Sequence, residues 1–299
     1  MPSHPTQFDV WGSRGSRSFV PQRSAVANNT SCYSVLNGED LFVFDGGRGL
    51  TVLANAMRKQ GRFRGVKRAH VLVSHAHLDH WEGLKDADWF WHKGNDLEVH
   101  ILGTGEALKA IRTGYSHPLY VDLKLLAAGT VHHVRYQKLR AGQRRKVGAW
   151  VLATQPLHHY SGEGLSFRIL DTLGFQLTAP DGATLAYLCD HAPTRRTREV
   201  EQALLDGAHL AVYDAHFPDV RHHAHGHGSQ EHASRMARAN PRALILAGHH
   251  GPILSDATIR AAHRRHGRGL RNFALAVEGT TYAWDAKRSA FVRRRDAGR

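Results

Sequence analysis

Short apolar runs recur along the chain, and most of them stop at a polar or charged residue. Five of these runs cover residues 69–73, 150–157, 183–189, 210–215 and 243–248. Their length and their content of branched aliphatic residues are typical of buried strands. Further strands are predicted at residues 8–11, 32–35, 41–44, 98–102 and 165–170.

The segments between the strands alternate with them and carry helical patterns. Helices are predicted at residues 50–60, 104–113, 199–205 and 231–239. A final hairpin is predicted at residues 272–284, and a basic tail at about 293–299.

A cluster of metal-binding side chains follows the first of the five apolar runs. His75, His77, Asp79 and His80 lie within six residues, directly after the predicted strand 69–73. Imidazole nitrogens and carboxylate oxygens are the ligands that zinc and related ions prefer. On a loop, His75 and His77 can face one ion while Asp79 and His80 turn toward a second.

Histidines and aspartates follow the other apolar runs as well. His158 and His159 come after the strand 150–157, and Asp190 comes after the strand 183–189. A carboxylate such as Asp190 can bridge two cations, although an aspartate here could also cap the next helix. A histidine-rich loop at 222–229 follows the strand that ends near Asp214, and His249 follows the strand 243–248.

The composition limits the class of protein. The 299 residues are 41% hydrophobic, which is enough for a substantial core. No apolar run approaches the length of a membrane span, and no secretory signal is visible. Cys32 and Cys189 each lie in an apolar segment, which favours two buried thiols over a disulfide. A cytoplasmic location without membrane contact is therefore expected.

The chain is strongly basic, with a formal net charge of +14 that comes from 31 arginines and nine lysines. Such a charge fits a phosphorylated substrate or nucleic acid, but it also fits a bias of genome composition. The basic runs 140–146, 195–198 and 293–295 are separate in the sequence. No zinc knuckle, RNA-recognition signature or Walker loop appears.

The His-X-His-X-Asp-His string at 75–80 resembles the signature of the metallo-β-lactamase superfamily of hydrolases. Three further motifs are Trp-Gly-Ser-Arg-Gly-Ser at 11–16, Asn-Thr-Ser-Cys at 29–32 and Asp-Gly-Gly at 45–47. Together they look like the branch that contains the cyclic-phosphate phosphodiesterases and ribonuclease Z. The resemblance implies a four-layer αββα sandwich, of the α/β (α+β) class, formed by residues 1–299 as a single domain.

The resemblance also implies a dinuclear metal site, with Zn²⁺ favoured and Mn²⁺ or Fe²⁺ compatible with the same ligands. The implied ligands are His75, His77 and His158 for the first ion, Asp79, His80 and His249 for the second, and Asp190 as the bridge. His159 remains the alternative to His158. Asp45 would support the metal loop without binding an ion.

A catalytic pair is implied near the histidine-rich loop. Gly226-His227-Gly228-Ser229 resembles the Gly-His-Ser-Thr element of the phosphodiesterase branch, in which a histidine acts as an acid beside a carboxylate. His227 and Asp214 fit this pair, and Asp79 is the third residue expected to take part in catalysis. Gly228 is an insertion relative to the family element, so His225 is the alternative acid.

The expected activity is hydrolysis of a small phosphodiester, such as a cyclic nucleotide or cyclic phosphate, through a metal-bound hydroxide. A tRNA- or RNA-processing endonuclease of the ribonuclease Z type is the alternative, opposed by the absence of an obvious tRNA-gripping insertion. A non-catalytic metal-binding sensor and a thioester or lactone hydrolase are further alternatives on the same fold. The expected partner, apart from substrate, is a second copy of the chain in a homodimer.

Overall fold

The computed structural model describes residues 5–18, 23–92, 95–126, 134–163, 166–220 and 226–294. Its strands are β1 (Gln7–Gly12), β2 (Cys32–Asn37), β3 (Asp40–Phe44), β4 (Arg68–Val73), β5 (Glu98–Gly103), β6 (Val134–Lys138), β7 (Arg144–Val147), β8 (Trp150–Leu157), β9 (Tyr160–Glu163), β10 (Ser166–Ile169), β11 (Thr172–Thr178), β12 (Thr184–Leu188), β13 (Leu210–Asp214), β14 (Leu244–Gly248), β15 (Phe273–Leu275), β16 (Thr281–Asp285) and β17 (Ala290–Arg293).

The helices lie between these strands. They are α1 (Gly49–Lys59), α2 (Asp88–Trp91), α3 (Gly105–Gly114), α4 (Leu123–Leu126), α5 (Arg198–Leu205), α6 (Gln230–Ala239) and α7 (Asp256–His266). In α1 the buried residues Leu50, Leu53, Ala54 and Met57 follow the helical period and form one apolar face. Thr104, Ser229 and Ser255 cap α3, α6 and α7 through their side-chain oxygens.

Two large sheets form the middle of the molecule. The first has eight strands in the order β17-β16-β1-β2-β3-β4-β5-β6, and the second has seven in the order β15-β14-β13-β12-β11-β8-β7. Strands β3 to β6 run parallel to one another, and so do β12 to β15. The carboxyl ends of each parallel group therefore meet at one edge of its sheet, where ligands usually bind.

Three apolar clusters separate four layers. The central cluster contains Phe44, Trp150, Phe175 and Tyr187, which are contributed by both sheets. A second cluster joins the first sheet to α1 and α3, and a third joins the other sheet to α5, α6 and α7. The predicted αββα sandwich is confirmed by this layering. Within the described ranges, no helix is both long enough and apolar enough to cross a membrane.

The predicted hairpin at 272–284 is wrong. Phe273–Leu275 pairs with β14 in the second sheet, whereas Thr281–Asp285 pairs with β1 and β17 in the first. The short segment between them crosses from one sheet to the other, and the true hairpin joins β16 to β17. The predicted strand at 165–170 also differs, because Ser166–Ile169 pairs only with Tyr160–Glu163 in a two-stranded ribbon.

Phe44 tests how far the central cluster stabilises the two sheets. Its buried ring stacks on Tyr187 at 5.1 Å between centroids and lies 6.2 Å from Phe175. Phe44→Ala should lower the free energy of unfolding by about 3–5 kcal/mol, because it leaves a cavity between the sheets. Urea unfolding measures the loss.

Phe167→Ala is the matched control, since Phe167 is 64% exposed on β10. It should change the stability by less than about 0.5 kcal/mol. Similar losses for the two variants would contradict the assignment of Phe44 to the core that joins the sheets.

Candidate metal centre

Five strand ends bring the candidate residues to one place. The loop 74–80 follows β4, residues 158–159 follow β8, and Asp190 follows β12. Asp214 is the last residue of β13, and His249 comes directly after β14. Because β12, β13 and β14 are parallel neighbours, their carboxyl ends lie side by side and face the loop after β4.

The first group of potential ligands contains three histidines and one carboxylate. His75, His77, His159 and Asp190 each place one ligand atom within 4.8 Å of the others. The Nε2 atoms of His75 and His159 lie 3.6 Å and 3.5 Å from Asp190 Oδ2. His159 donates its Nδ1–H to the carbonyl of Gly226 at 2.7 Å. The lone pair of the ring is therefore on Nε2, which lies 3.1 Å from Nδ1 of His77 and is the atom that would bind a cation.

The structure places His159, rather than His158, beside His75 and His77. Leu157 and His159 are both buried, as expected for residues two apart on extended chain, where side chains alternate between faces. The ring of His158 packs near Tyr160, and its backbone N–H donates to Nδ1 of His191 at 3.1 Å. Along β8 the buried residues are Trp150, Leu152 and Thr154, but Pro156 is exposed and Leu157 is buried. The alternation therefore breaks before the two histidines, and the period of the strand alone would have favoured His158.

The second group contains Asp79, His80 and His249, again with one ligand atom each within 4.8 Å. His80 Nε2 lies 3.3 Å from Asp79 Oδ2 and 3.2 Å from Asp190 Oδ1. His249 Nδ1 lies 3.0 Å from the same Asp190 oxygen and 3.1 Å from the hydroxyl of Ser31. Asp190 therefore contacts both groups, one through each carboxylate oxygen.

Asp45 supports the metal loop from below. Its carboxylate accepts hydrogen bonds from the backbone N–H and the hydroxyl of Ser74 and from the hydroxyl of Tyr187. It also accepts the Nδ1–H of His80, at 2.6 Å. This contact fixes the His80 ring so that Nε2 points into the site. Burial alone would lower the pKa of His80, but Asp190, Asp79 and Asp45 outweigh it and raise the pKa well above its usual value.

Protonation states in the first group suit cation binding. Burial lowers the pKa values of His75 and His77, and it lowers that of His159 to about 4. Burial alone would raise the pKa of Asp190. His249 and the other nearby histidines outweigh this effect and hold the pKa well below its usual range. Neutral imidazoles around an ionised carboxylate are the forms that bind a metal ion.

Three residues of the site adopt a backbone conformation that non-glycine residues rarely take. Asp45, Asp190 and His249 have φ angles of 58°, 54° and 53°. Such residues cost about 1–3 kcal/mol each and persist where the surrounding structure holds them. All three stand at or just after strand ends, so the unusual backbone aims their side chains into the space between the sheets.

A second carboxylate–histidine pair lies beside the ligand groups. His227 Nδ1 is 2.9 Å from Asp214 Oδ2 and 4.0 Å from Asp190 Oδ2. Asp214 also accepts the backbone N–H groups of His191 and His216. Burial lowers the pKa of His227, but Asp214 and then Asp190 outweigh it and raise the pKa to about 9. The structure thus brings together the predicted pair; His225 lies outside the described residues.

The position next to His227, Gly228, has no room for a side chain. A side chain at this position would collide with the carbonyl of Asp214. The backbone beside His227 can therefore approach the end of β13 closely, and this approach lets Nδ1 of His227 reach the Asp214 carboxylate.

His216 is a further residue of this region that the sequence reasoning did not single out. It follows Asp214 by two positions, is 9% exposed, and stacks on His227 at 4.2 Å between centroids with 12° between the ring planes. The sequence signal that could have identified His216 is its position two residues after Asp214, an acid at the end of a predicted strand.

The donor set fits divalent metal ions. Among the described residues, the Nε2 atoms of His75, His80 and His249 are buried without a hydrogen-bond partner. A buried polar atom left unpaired is costly. The Nε2 atoms of His75 and His80 lie 3.6 Å and 3.2 Å from the Asp190 carboxylate, and that of His249 borders Gly15. Bound cations would satisfy all three atoms, which supports a metal centre at this sheet edge.

The comparison with protein families identifies the class. Residues 42–250 match the model of the beta-lactamase superfamily domain, so the chain belongs to that superfamily. No curated protein matches the chain at a significant level.

Solved structures share the fold. Zinc-bound PqqB from Methylobacterium extorquens is 15% identical, with a TM-score of 0.68 over 92% of this chain and 99% of that one. Yeast PDE1 is 13% identical, with a TM-score of 0.65 over 93% and 99% of the two chains. A diphosphatase from the PhnP family is 16% identical, with a TM-score of 0.61 over 94% and 98%. At these identities the likeness concerns the fold alone.

Substitution of the two adjacent histidines distinguishes their roles. His159→Ala should remove about one metal ion per chain, because it deletes a nitrogen that faces His77 and Asp190. His158→Ala is the matched control and should leave the metal content unchanged. Elemental analysis of the zinc-loaded proteins after gel filtration measures both. Loss of metal from the His158 variant with full loading of the His159 variant would reverse the assignment.

Proposed function

We propose that the chain is a dinuclear metal-dependent phosphodiesterase that hydrolyses a small phosphodiester, such as a cyclic nucleotide or a cyclic phosphate. One observation carries the proposal: the Asp214–His227 pair stands directly beside seven potential metal ligands. A metal store or sensor needs the ligands but has no use for an oriented acid next to them. A hydrolase needs both.

The first ion would be held by His75, His77 and His159, and the second by Asp79, His80 and His249, with Asp190 shared between them. When bound, two divalent cations make water acidic enough to supply a nucleophile and neutralise the charge that develops on phosphorus. Zn²⁺ suits these nitrogen-rich ligands, and Mn²⁺ or Fe²⁺ is compatible with them.

The protein itself would position the proton that the leaving group needs. Asp214 accepts Nδ1–H of His227 and so holds the ring with Nε2 directed away from the carboxylate. The raised pKa keeps His227 protonated near neutral pH, and bound cations nearby would lower that pKa toward neutrality. In that state His227 can deliver a proton to the departing alkoxide.

Asp79 is oriented by the backbone as well as by its place in the loop. Its Oδ2 accepts the N–H of Ser16 at 2.9 Å, which comes from the glycine- and serine-rich turn after β1. One carboxylate oxygen is thereby held in place. Asp79 would thus contribute to catalysis by fixing the second ion against the substrate phosphate.

A nuclease acting on RNA is the second candidate, and basic residues near the site favour it. Lys109, Arg112 and Lys138 line a surface cavity of about 450 Å³ together with Tyr136. Lys138 ends β6, which shares a sheet edge with the metal loop after β4. A cationic cavity at that edge could hold an additional phosphate of a longer substrate.

A panel of substrates tests the proposal. The metal-loaded protein should hydrolyse cyclic mononucleotides or a ribosyl cyclic phosphate, lose activity with a chelator, and leave a thioester and a lactone intact. For a small substrate with one charge, KM should depend weakly on salt, because few counterions are released. Efficient cleavage of a tRNA precursor, with steep salt dependence and no action on cyclic nucleotides, would establish the nuclease instead.

His227 is tested by the leaving group of the substrate. An alkoxide needs a proton as the P–O bond breaks, whereas a nitrophenolate is stable as an anion. His227→Ala should therefore slow hydrolysis of a cyclic nucleotide by roughly 10²–10⁴-fold and barely affect bis-(p-nitrophenyl) phosphate. Steady-state kinetics on both substrates, at constant metal content, measure the difference.

His263→Ala serves as the control, since His263 lies on α7 against Phe273 rather than at the metal centre. It should leave both rates unchanged. Equal losses on the two substrates for His227→Ala would contradict the role of general acid and indicate a ligand or structural histidine.

A further inference from the structure

His216 has a buried nitrogen that nothing in the described part of the chain satisfies. Its backbone is held firmly: the N–H donates to Asp214 Oδ1 at 2.9 Å, and the carbonyl accepts the N–H of Gly251 at 3.0 Å. The ring Nδ1, by contrast, is buried without a hydrogen-bond partner among the described residues. A rigidly placed imidazole with an unsatisfied nitrogen calls for a ligand at that atom.

The unsatisfied nitrogen lies close to His249, a candidate ligand of the second metal position. His216, His227 and His249 each place one nitrogen within 4.8 Å of the others. The ring of His249 lies 5.5 Å from that of His216, 5.4 Å from that of His80 and 5.0 Å from that of His227. His216 is therefore as near to His249 as His80 is.

Gly15 shows where the nitrogens converge. A Cβ atom built on Gly15 would lie 2.6 Å from Nε2 of His249 and 2.9 Å from Nδ1 of His216. Both nitrogens therefore border the same small space, which the glycine leaves open. The next residue, Ser16, donates its N–H to Asp79, so the same turn also brings a carboxylate of the second group to this place.

We propose that His216 is an additional imidazole ligand of the second metal position, beside Asp79, His80, His249 and the shared Asp190. This inference rests on the metal centre of the proposed function. It gives the second position three histidines, like the first position with His75, His77 and His159. Three imidazoles favour Zn²⁺ over Mn²⁺, because nitrogen donors suit the former and oxygen donors the latter.

The contrasting possibility is that His216 only packs against His227. The two rings are stacked and nearly parallel, so removal of either ring would disturb the other even if His216 did not bind a metal ion. His216→Phe separates the two roles, since phenylalanine keeps a flat ring for stacking but has no nitrogen.

The test is the affinity of each ion, measured on the full chain by competition with a chromophoric zinc chelator and by elemental analysis. The visible absorption of the cobalt-loaded protein reports the ligand geometry independently. His216→Phe should weaken one of the two ions by more than about 100-fold, above the 10–100-fold effect of a partner that only supports a ligand. It should also change the cobalt spectrum.

Two further variants complete the experiment. Gly15→Ala should weaken the same ion, because its methyl group enters the space between His216 and His249. His263→Ala should leave both affinities unchanged. Thermal unfolding of the metal-free proteins confirms that each variant is folded.

The outcomes separate this inference from the proposed function. Two tightly bound ions in the natural sequence and one in His216→Phe support the inference. Two tightly bound ions in both proteins, with the same cobalt spectrum, overturn it and leave the metal centre intact. Equal weakening of both ions also overturns it, because the effect is then not specific to one position. No tight binding by the natural sequence overturns the metal centre and this inference together.

Discussion

The site depends on one buried carboxylate. Asp190 stands at a position where its backbone takes a positive φ, and its two oxygens lie within 3.6 Å of nitrogens from His75, His80, His159 and His249. An unpaired charge in this interior would be expensive, so the surrounding histidines stabilise the ionised carboxylate. In turn the carboxylate holds four histidines from three separate strand ends in one cluster.

Two other carboxylates, Asp45 and Asp214, make the same kind of hydrogen bond to a histidine at different places in the site. Asp45 and Asp214 each accept Nδ1–H from a histidine, at 2.6 Å for His80 and 2.9 Å for His227. Asp45 lies beneath the loop after β4, so it holds His80 with Nε2 toward Asp79 and Asp190. Asp214 lies at the end of β13, so it holds His227 beside Asp190. Under the proposed function, the first histidine would be a ligand and the second an acid.

Close backbone approach makes these contacts possible. Gly15 stands against the His216 and His249 rings, and Gly228 stands against the end of β13. A larger residue at either position would force the turn or the loop away from the centre. The Gly/Ser-rich turn after β1 therefore contributes shape and a backbone donor to Asp79.

The sequence by itself determined most of the parallel strands and the potential ligands that local spacing brings together. His75, His77, Asp79 and His80 lie in one loop, so their proximity follows from chain connectivity, and the apolar runs before Asp190 and His249 mark strand ends. The tertiary structure decided what depends on packing between distant segments: the position of His159, rather than His158, beside His75 and His77, the stacking of His216 on His227, and the crossing of the chain between sheets after Phe273–Leu275. The last two depend on contacts between segments that are far apart in the sequence. The first depends on which face of an extended segment meets the metal loop, and a single residue of register reverses that face.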